Sequence, residues 1–177
     1  LPGLRRNEYV TLYITTGFGR LRHLGVRDID VSCAIGARDA LDKWMDEQYR
    51  WILTHGNKDQ NRLTPTIAFY LYGRSFFLAD KPVDSQYREA LDYWLAQARQ
   101  YWLSLWRQSQ AHLAIALKRF GDAQTADAIM QSIREHSVTD DELGMYWRDT
   151  EHSWWWYRAP IETQAMMIEA FDEVSGD

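Results

Sequence analysis

Apolar residues recur at helical spacing along nearly the whole chain, and the helices they define come in two kinds. VTLYITTGFGRL, LTPTIAFYLYGRSF, SQAHLAIALKRFGD and IETQAMMIEAFDEV carry threonine, glutamine or serine near the start, then small and apolar residues on several sides. REALDYWLAQARQYW and TADAIMQSIREH, by contrast, keep a charged outer face. A helix apolar on most sides is buried, and one with a charged stripe lies outside. Alternation of the two kinds describes stacked helical hairpins repeating at roughly 45 to 55 residues. The expected fold is therefore all-α: stacked helical hairpins of a ring or solenoid, at about 9–54, 64–101 and 103–136, and a final helix at 160–174. That last helix has no outer mate, as expected of a fragment of a larger protein.

Local signals set the boundaries. Tyr9, Leu12, Tyr13, Thr16, Leu21 and Leu24 form a first stripe that stops at Gly25, and Asp30 opens a longer helix through Ile35, Leu41, Met45, Tyr49 and Ile52 to His55-Gly56-Asn57. Thr64-Pro65 starts a third helix with proline in its first turn, broken at Asp80-Lys81-Pro82. Asp84 or Ser85 caps a fourth, a fifth runs from about Leu103 to Phe120, and Gly121-Asp122 separates it from a sixth over Ala123–His136. Between His136 and Pro160 the helical period fails. Met145-Tyr146-Trp147 and Trp154-Trp155-Trp156-Tyr157 flank a polar stretch, which predicts a small aromatic β-hairpin over 143–158.

The chain's 177 residues are about one domain, and 46% hydrophobic with 25% charged residues is a globular composition. A net charge of −5 with interleaved signs argues against nucleic-acid binding, which needs a basic face. No apolar run is long enough to cross a bilayer. The single cysteine, Cys33, excludes an internal disulfide and a multi-cysteine metal site, and its apolar neighbours predict a small buried hydrophobe. A prenyltransferase-like zinc site would need Asp30, Cys33 and a distant His112 or His152, so neither a metal nor another cofactor is expected.

Two stretches resemble the α/α-toroid thioester domain of the alpha-2-macroglobulin and complement family, in its bacterial branch. One is Trp155-Trp156-Tyr157 with Ala159–Ala165 and the apolar run to Phe171, similar to a tryptophan-bearing segment that precedes a Glu-Thr-x-Ala helix start. The other is Ala114–Asp122 continuing into Ala126–Ile129, similar to that family's helix, Gly-Asp turn, helix hairpin. The family's Cys-x-Glu-Gln thioester motif is absent, because Cys33 has neither Glu nor Gln at the needed spacing. Either the motif lies upstream of Leu1 or the parent protein lacks it. The resemblance implies that the stacked hairpins form a partial α/α toroid, and that the chain is a non-catalytic piece of a protease-trapping or cell-envelope defence protein, periplasmic or cell-surface. Its partners would be other domains of the parent chain and a target protease.

Among individual residues, Asp28 and Asp30 sit before a helix and suit N-capping. His55 and His136 sit at helix C-termini, and His112 lies among small apolar residues as a core histidine. Trp94, Trp102 and Trp106 share one helical side, and Trp44 and Trp51 are two turns apart, so both sets read as core stripes. In a strand, Trp154 and Trp156 face one way and Trp155 and Tyr157 the other, leaving one pair for an interdomain or ligand contact. Trp147, exposed His152 and Glu162 complete the candidate binding set. Glu162, in the first turn of the last helix, suits the dipole there. Pointed into a toroid mouth it would suit a glycosidase-like acid, but nothing in the sequence nominates the second carboxylate. An α/α-barrel enzyme acting on carbohydrate or isoprenoid substrates, or a carbohydrate-binding module, is the competing expectation.

Overall fold

A computed structural model describes residues 7–148 and 160–176. These residues form helices α1 (Glu8–His23), α2 (Ser32–Gly36), α3 (Arg38–His55), α4 (Pro65–Ser75), α5 (Arg88–Tyr101), α6 (Arg107–Arg119), α7 (Ala123–Glu135) and α8 (Pro160–Ala170). Strands β1 (Val138–Asp140) and β2 (Gly144–Tyr146) make one small antiparallel sheet. The described residues are all-α with that single hairpin.

The caps explain where helices begin and end. The Asn7 side chain accepts the Val10 N–H at 3.0 Å to start α1. At its end, Gly25 has φ 82°, while Val26 donates to Leu21 and Gly25 to Arg22, the paired bonds of a left-handed helix stop. Gly121, at φ 91°, ends α6 in the same way, with Asp122 bonding back to Leu117 at 2.8 Å. The Asp122 carboxylate then accepts the Thr125 N–H and opens α7. Thr64 accepts the Ile67 N–H, with Pro65 at the first position of α4.

Burial separates two kinds of helix. α4 is covered on all sides from Tyr70 to Ser75, and α6 from Ser109 to Leu117. α3, α5 and α7 bury one face only, as in the α7 stripe Ala126, Ile129, Met130 and Ile133. α1 packs on α4, α4 on α6 and α6 on α8, while α3 lies against α5 and α7 against α6. Where α1 meets α4 the backbones come close. A Cβ at Gly73 would collide with the Thr16 hydroxyl, and one at Gly19 would lie 2.8 Å from Phe76.

Several expectations are corrected. The long second helix is two pieces: α2 ends at Ala37, where α3 begins, and only Ala34 of α2 is buried. Cys33 is consequently exposed rather than buried. The expected fifth helix starts later, after a 3-10 turn over Trp102–Ser104. That break removes the regular spacing from the tryptophan stripe. Trp94 is buried and donates its indole N–H to Met45, but Trp106 is 52% exposed. Trp44 is half-buried, whereas Trp51 lies on the surface stacked on His55. Asp30 does accept the Ser32 N–H at 2.9 Å, whereas Asp28 instead adopts φ 62° in the preceding turn.

The hairpin is also displaced. β2 falls in the expected first strand, but its partner is β1, with Val138 opposite Tyr146 and Asp140 opposite Gly144. Asp140 organises the turn by accepting the N–H groups of Glu142 and Leu143, both at 2.9 Å. The short acidic run is thus a turn. The expected second strand, Trp154–Tyr157, lies outside the described residues.

Candidate functional site

Four helices line an open-mouthed cavity of about 220 Å³. α1 contributes Tyr9, Tyr13, Gly17 and Arg20 along its length. The other three present their beginnings: Thr66, Phe69 and Tyr72 of α4; Gln108, Ser109 and His112 of α6; Glu162, Ala165 and Met166 of α8. First-turn residues of three helices therefore face one space, and helix N-termini carry partial positive charge there.

The wall is aromatic. Phe69 sits 6.1 Å from Tyr9 and 6.3 Å from Tyr13, centroid to centroid. On its other side the His112 ring lies 5.2 Å from Phe69 and 4.8 Å from Tyr72. Beneath this layer an ion pair closes the floor. Glu169 of α8 receives Arg20 of α1 at 2.5 Å and the hydroxyl of Tyr72 from α4. Burial and the adjoining carboxylate push the Tyr72 phenol far above its ordinary range. Further down, Arg119 of α6 grips Glu173 at 2.6 Å and spreads over Phe76 at 4.0 Å.

Three polar atoms at this site are buried without a hydrogen-bond partner among the described residues: Thr16 Oγ1, His112 Nδ1 and Glu162 Oε2. Thr16 turns its hydroxyl onto the backbone at Gly73. His112 was expected as a satisfied core histidine; it is buried but not satisfied. Burial, with Arg20 nearby, pushes its pKa down to about 3, so the ring is neutral at physiological pH. A second cavity of about 360 Å³, by Leu103, Trp106 and His136, has no such unpartnered atom in its lining.

Of the residues picked from the sequence, Glu162 lines the cavity between α1, α4, α6 and α8. Trp147 is in the core, 6% exposed, with its indole N–H on Ile133 at 2.7 Å and its ring 5.9 Å from Phe171. Gln164 of α8 clasps the Trp147 backbone, its amide nitrogen donating to the carbonyl at 3.0 Å. Trp147 thus ties β2 to α7 and α8. His152, Trp154, Trp155, Trp156 and Tyr157 lie outside the described residues. His55 and His136 do stand at helix ends, His136 Nδ1 2.7 Å from the Ser132 carbonyl.

Tyr9, Tyr13, Phe69 and Arg20 escaped the sequence reading, because each looks like an ordinary member of an apolar or charged stripe. Only their convergence from separate helices makes a site. Among the described residues the cavity lining holds one carboxylate, Glu162, and the next, Glu169, is consumed by Arg20 and Tyr72. Paired-carboxylate hydrolysis needs two facing acids, which these residues do not supply. Among the described residues no three His, Cys, Asp or Glu side chains cluster to hold a metal ion, and no helix is long and apolar enough to cross a membrane. Comparison with protein-family models, curated proteins and solved structures finds no match to this chain.

Proposed function

We propose that this chain is a non-catalytic arc of an α/α toroid within an alpha-2-macroglobulin-like protein, where it is a rigid body for contacts with neighbouring domains. The observation that carries the reading is at the two ends of the buried row. α1 leaves Val10, Ile14 and Leu21 exposed, and α8 leaves Ile161 and Ile168 exposed at 75% and 72%. Interior members α4 and α6 are covered on both sides by their neighbours. The uncovered apolar faces are those that a further helical hairpin or an adjoining domain of the same chain would cover. The resemblance of the Ala159–Phe171 stretch to the family's late inner helix supports the same reading.

On this reading the parent protein works in the periplasm or at the cell surface and traps a protease by enclosing it. Among the described residues the lining offers Glu162 without a facing second carboxylate, which favours this over an α/α-barrel hydrolase. The test uses the intact protein that carries the segment, mixed with a broad-specificity endopeptidase. Cleavage of a small chromogenic peptide should persist while cleavage of a large protein substrate is lost. Undiminished cleavage of the large substrate removes the trapping role.

A further inference from the structure

Arg38 opens α3 and is fully buried, yet most of its donors are unused. Nη1 reaches the Gly73 carbonyl at 3.5 Å, and neither Nε nor Nη2 has a partner among the described residues. Those two atoms share one edge of the guanidinium, the fork that grips an anion between parallel N–H groups. The flat face is spent, since the guanidinium carbon lies 4.3 Å over the Phe77 ring. What Arg38 still offers is one edge with two aligned donors.

The acids around it are engaged elsewhere. Asp42 accepts from Arg74 Nε at 3.0 Å and from the Tyr70 hydroxyl at 2.7 Å. Asp80 holds Arg22 at 2.7 Å, and Asp39, next to Arg38 in the chain, holds Lys81 at 2.6 Å. Arg22, Arg38, Arg74 and Lys81 therefore share three carboxylates, and Arg38 is the one without its own. Burial, and then Arg74, lowers its pKa to about 10, so it stays charged at neutral pH. A water molecule satisfies the two N–H groups and leaves the charge, whereas a small anion satisfies both. Neither donor atom has exposed surface, so a ligand with a tail has no way out and only a fully enclosed ion suits the edge. Long side chains surround it: Arg22, 4.9 Å over the same ring, and Lys81 on Asp39. Both are partly exposed, and their rotamer changes admit an ion without unpacking α4.

We propose that the Nε–Nη2 edge of Arg38 seats one small inorganic anion of chloride size, enclosed between the start of α3 and the turn after α4. The ion is structural: it offsets the buried charge and ties α3 to α4. The site is independent of protease trapping, so either can fail alone.

The experiment is urea denaturation of the chain as sodium gluconate, whose anion is too large to be enclosed, is replaced by sodium chloride at constant ionic strength. The wild-type midpoint should rise with chloride and level off as the site fills, and bromide should act in the same way. Arg38→Met lacks the edge and should show no such rise, so the wild type gains on it as chloride is added. Arg38→Lys keeps the charge and loses the fork, and should need roughly tenfold more chloride for the same rise. That second variant keeps the test decisive if Arg38→Met does not fold. The chloride NMR line should also broaden with the folded wild type and narrow when urea unfolds it. A midpoint indifferent to chloride, an equal rise in the wild type and Arg38→Met, an undiminished response in Arg38→Lys, or a chloride line that the folded chain leaves sharp overturns the proposal.

Discussion

Tyr72 of α4 donates its hydroxyl hydrogen to Glu169 of α8, whose other carboxylate oxygen takes Arg20 of α1 at 2.5 Å. Three helices that meet nowhere in sequence are joined by one carboxylate. Because Arg20 is partly solvated, its share is discounted and the buried phenol bond dominates. Glu169→Gln should lower stability by about 1–2 kcal/mol in urea titration. An unchanged midpoint would show that the clasp is ornamental.

His112 makes the fold acid-sensitive. Its pKa is pushed down to about 3 by burial first and by Arg20 second, against 6.5 when unperturbed. A depressed value means that the contribution is complete above about pH 6.5 and drains away as pH falls toward 3. From about pH 7 to about pH 4 this group alone should remove about 3 kcal/mol. Asp80 and Asp122, both held low by arginine partners, push the same way. The measurement is therefore the difference between the wild-type chain and His112→Leu, whose acid slope should be visibly shallower.

Arg38 and Arg74 share a buried site with one carboxylate. Asp42 accepts from Arg74 Nε at 3.0 Å and from the Tyr70 hydroxyl at 2.7 Å, while Arg38 leaves Nε and Nη2 unpartnered among the described residues. Burial, and then repulsion by Arg74, lowers the Arg38 pKa to about 10. Arg38→Met should be neutral or stabilising, since it relieves the repulsion between two buried cations that share Asp42 and keeps a long apolar stem over Phe77. Asp42→Asn should cost about 3 kcal/mol or more by leaving both arginines without an anion. Chemical denaturation of the two variants side by side tests the opposite signs.

Gly73 exists to let α1 approach α4. Gly73→Ala drives a methyl group into the Thr16 hydroxyl and to within 3.2 Å of Leu12 Cδ1, which should cost about 1–3 kcal/mol. Combining it with Thr16→Ala should recover part of the loss, and a strictly additive double variant would refute the contact.

Cys33 should react fully with a maleimide in native buffer, without denaturant, because it is exposed on the five-residue α2. Protection of the thiol until unfolding would restore the buried reading.

Helix positions were readable where a local signal exists. Thr64-Pro65, Gly121-Asp122 and Gly25 each act through their own backbone and neighbours within five residues, so they needed no knowledge of the fold. The pairing of the hairpin is not legible because strands of three residues are too short to show a period, and Val138-Thr139-Asp140 carries no aromatic signal. The exposure of Cys33 is not legible because the only local mark of the break before Ala37 is Gly36, and a single glycine inside a helical pattern is tolerated as often as it is a stop. The candidate cavity was visible only as Glu162.

Most helical segments and several of their stops are legible in the sequence by itself. Those properties follow from spacing and capping within a single turn or two. The apolar-on-most-sides pattern marks full burial for α4 and α6, but α1 and α8 share it and leave Val10, Ile14, Ile161 and Ile168 exposed. Tertiary structure alone decided that Tyr13, Phe69, His112 and Glu162 share one space, and that Glu169 is spent on Arg20 and Tyr72. Each comes from a different helix, and contact between helices depends on crossing and close approach, as at Gly73. No local spacing encodes that.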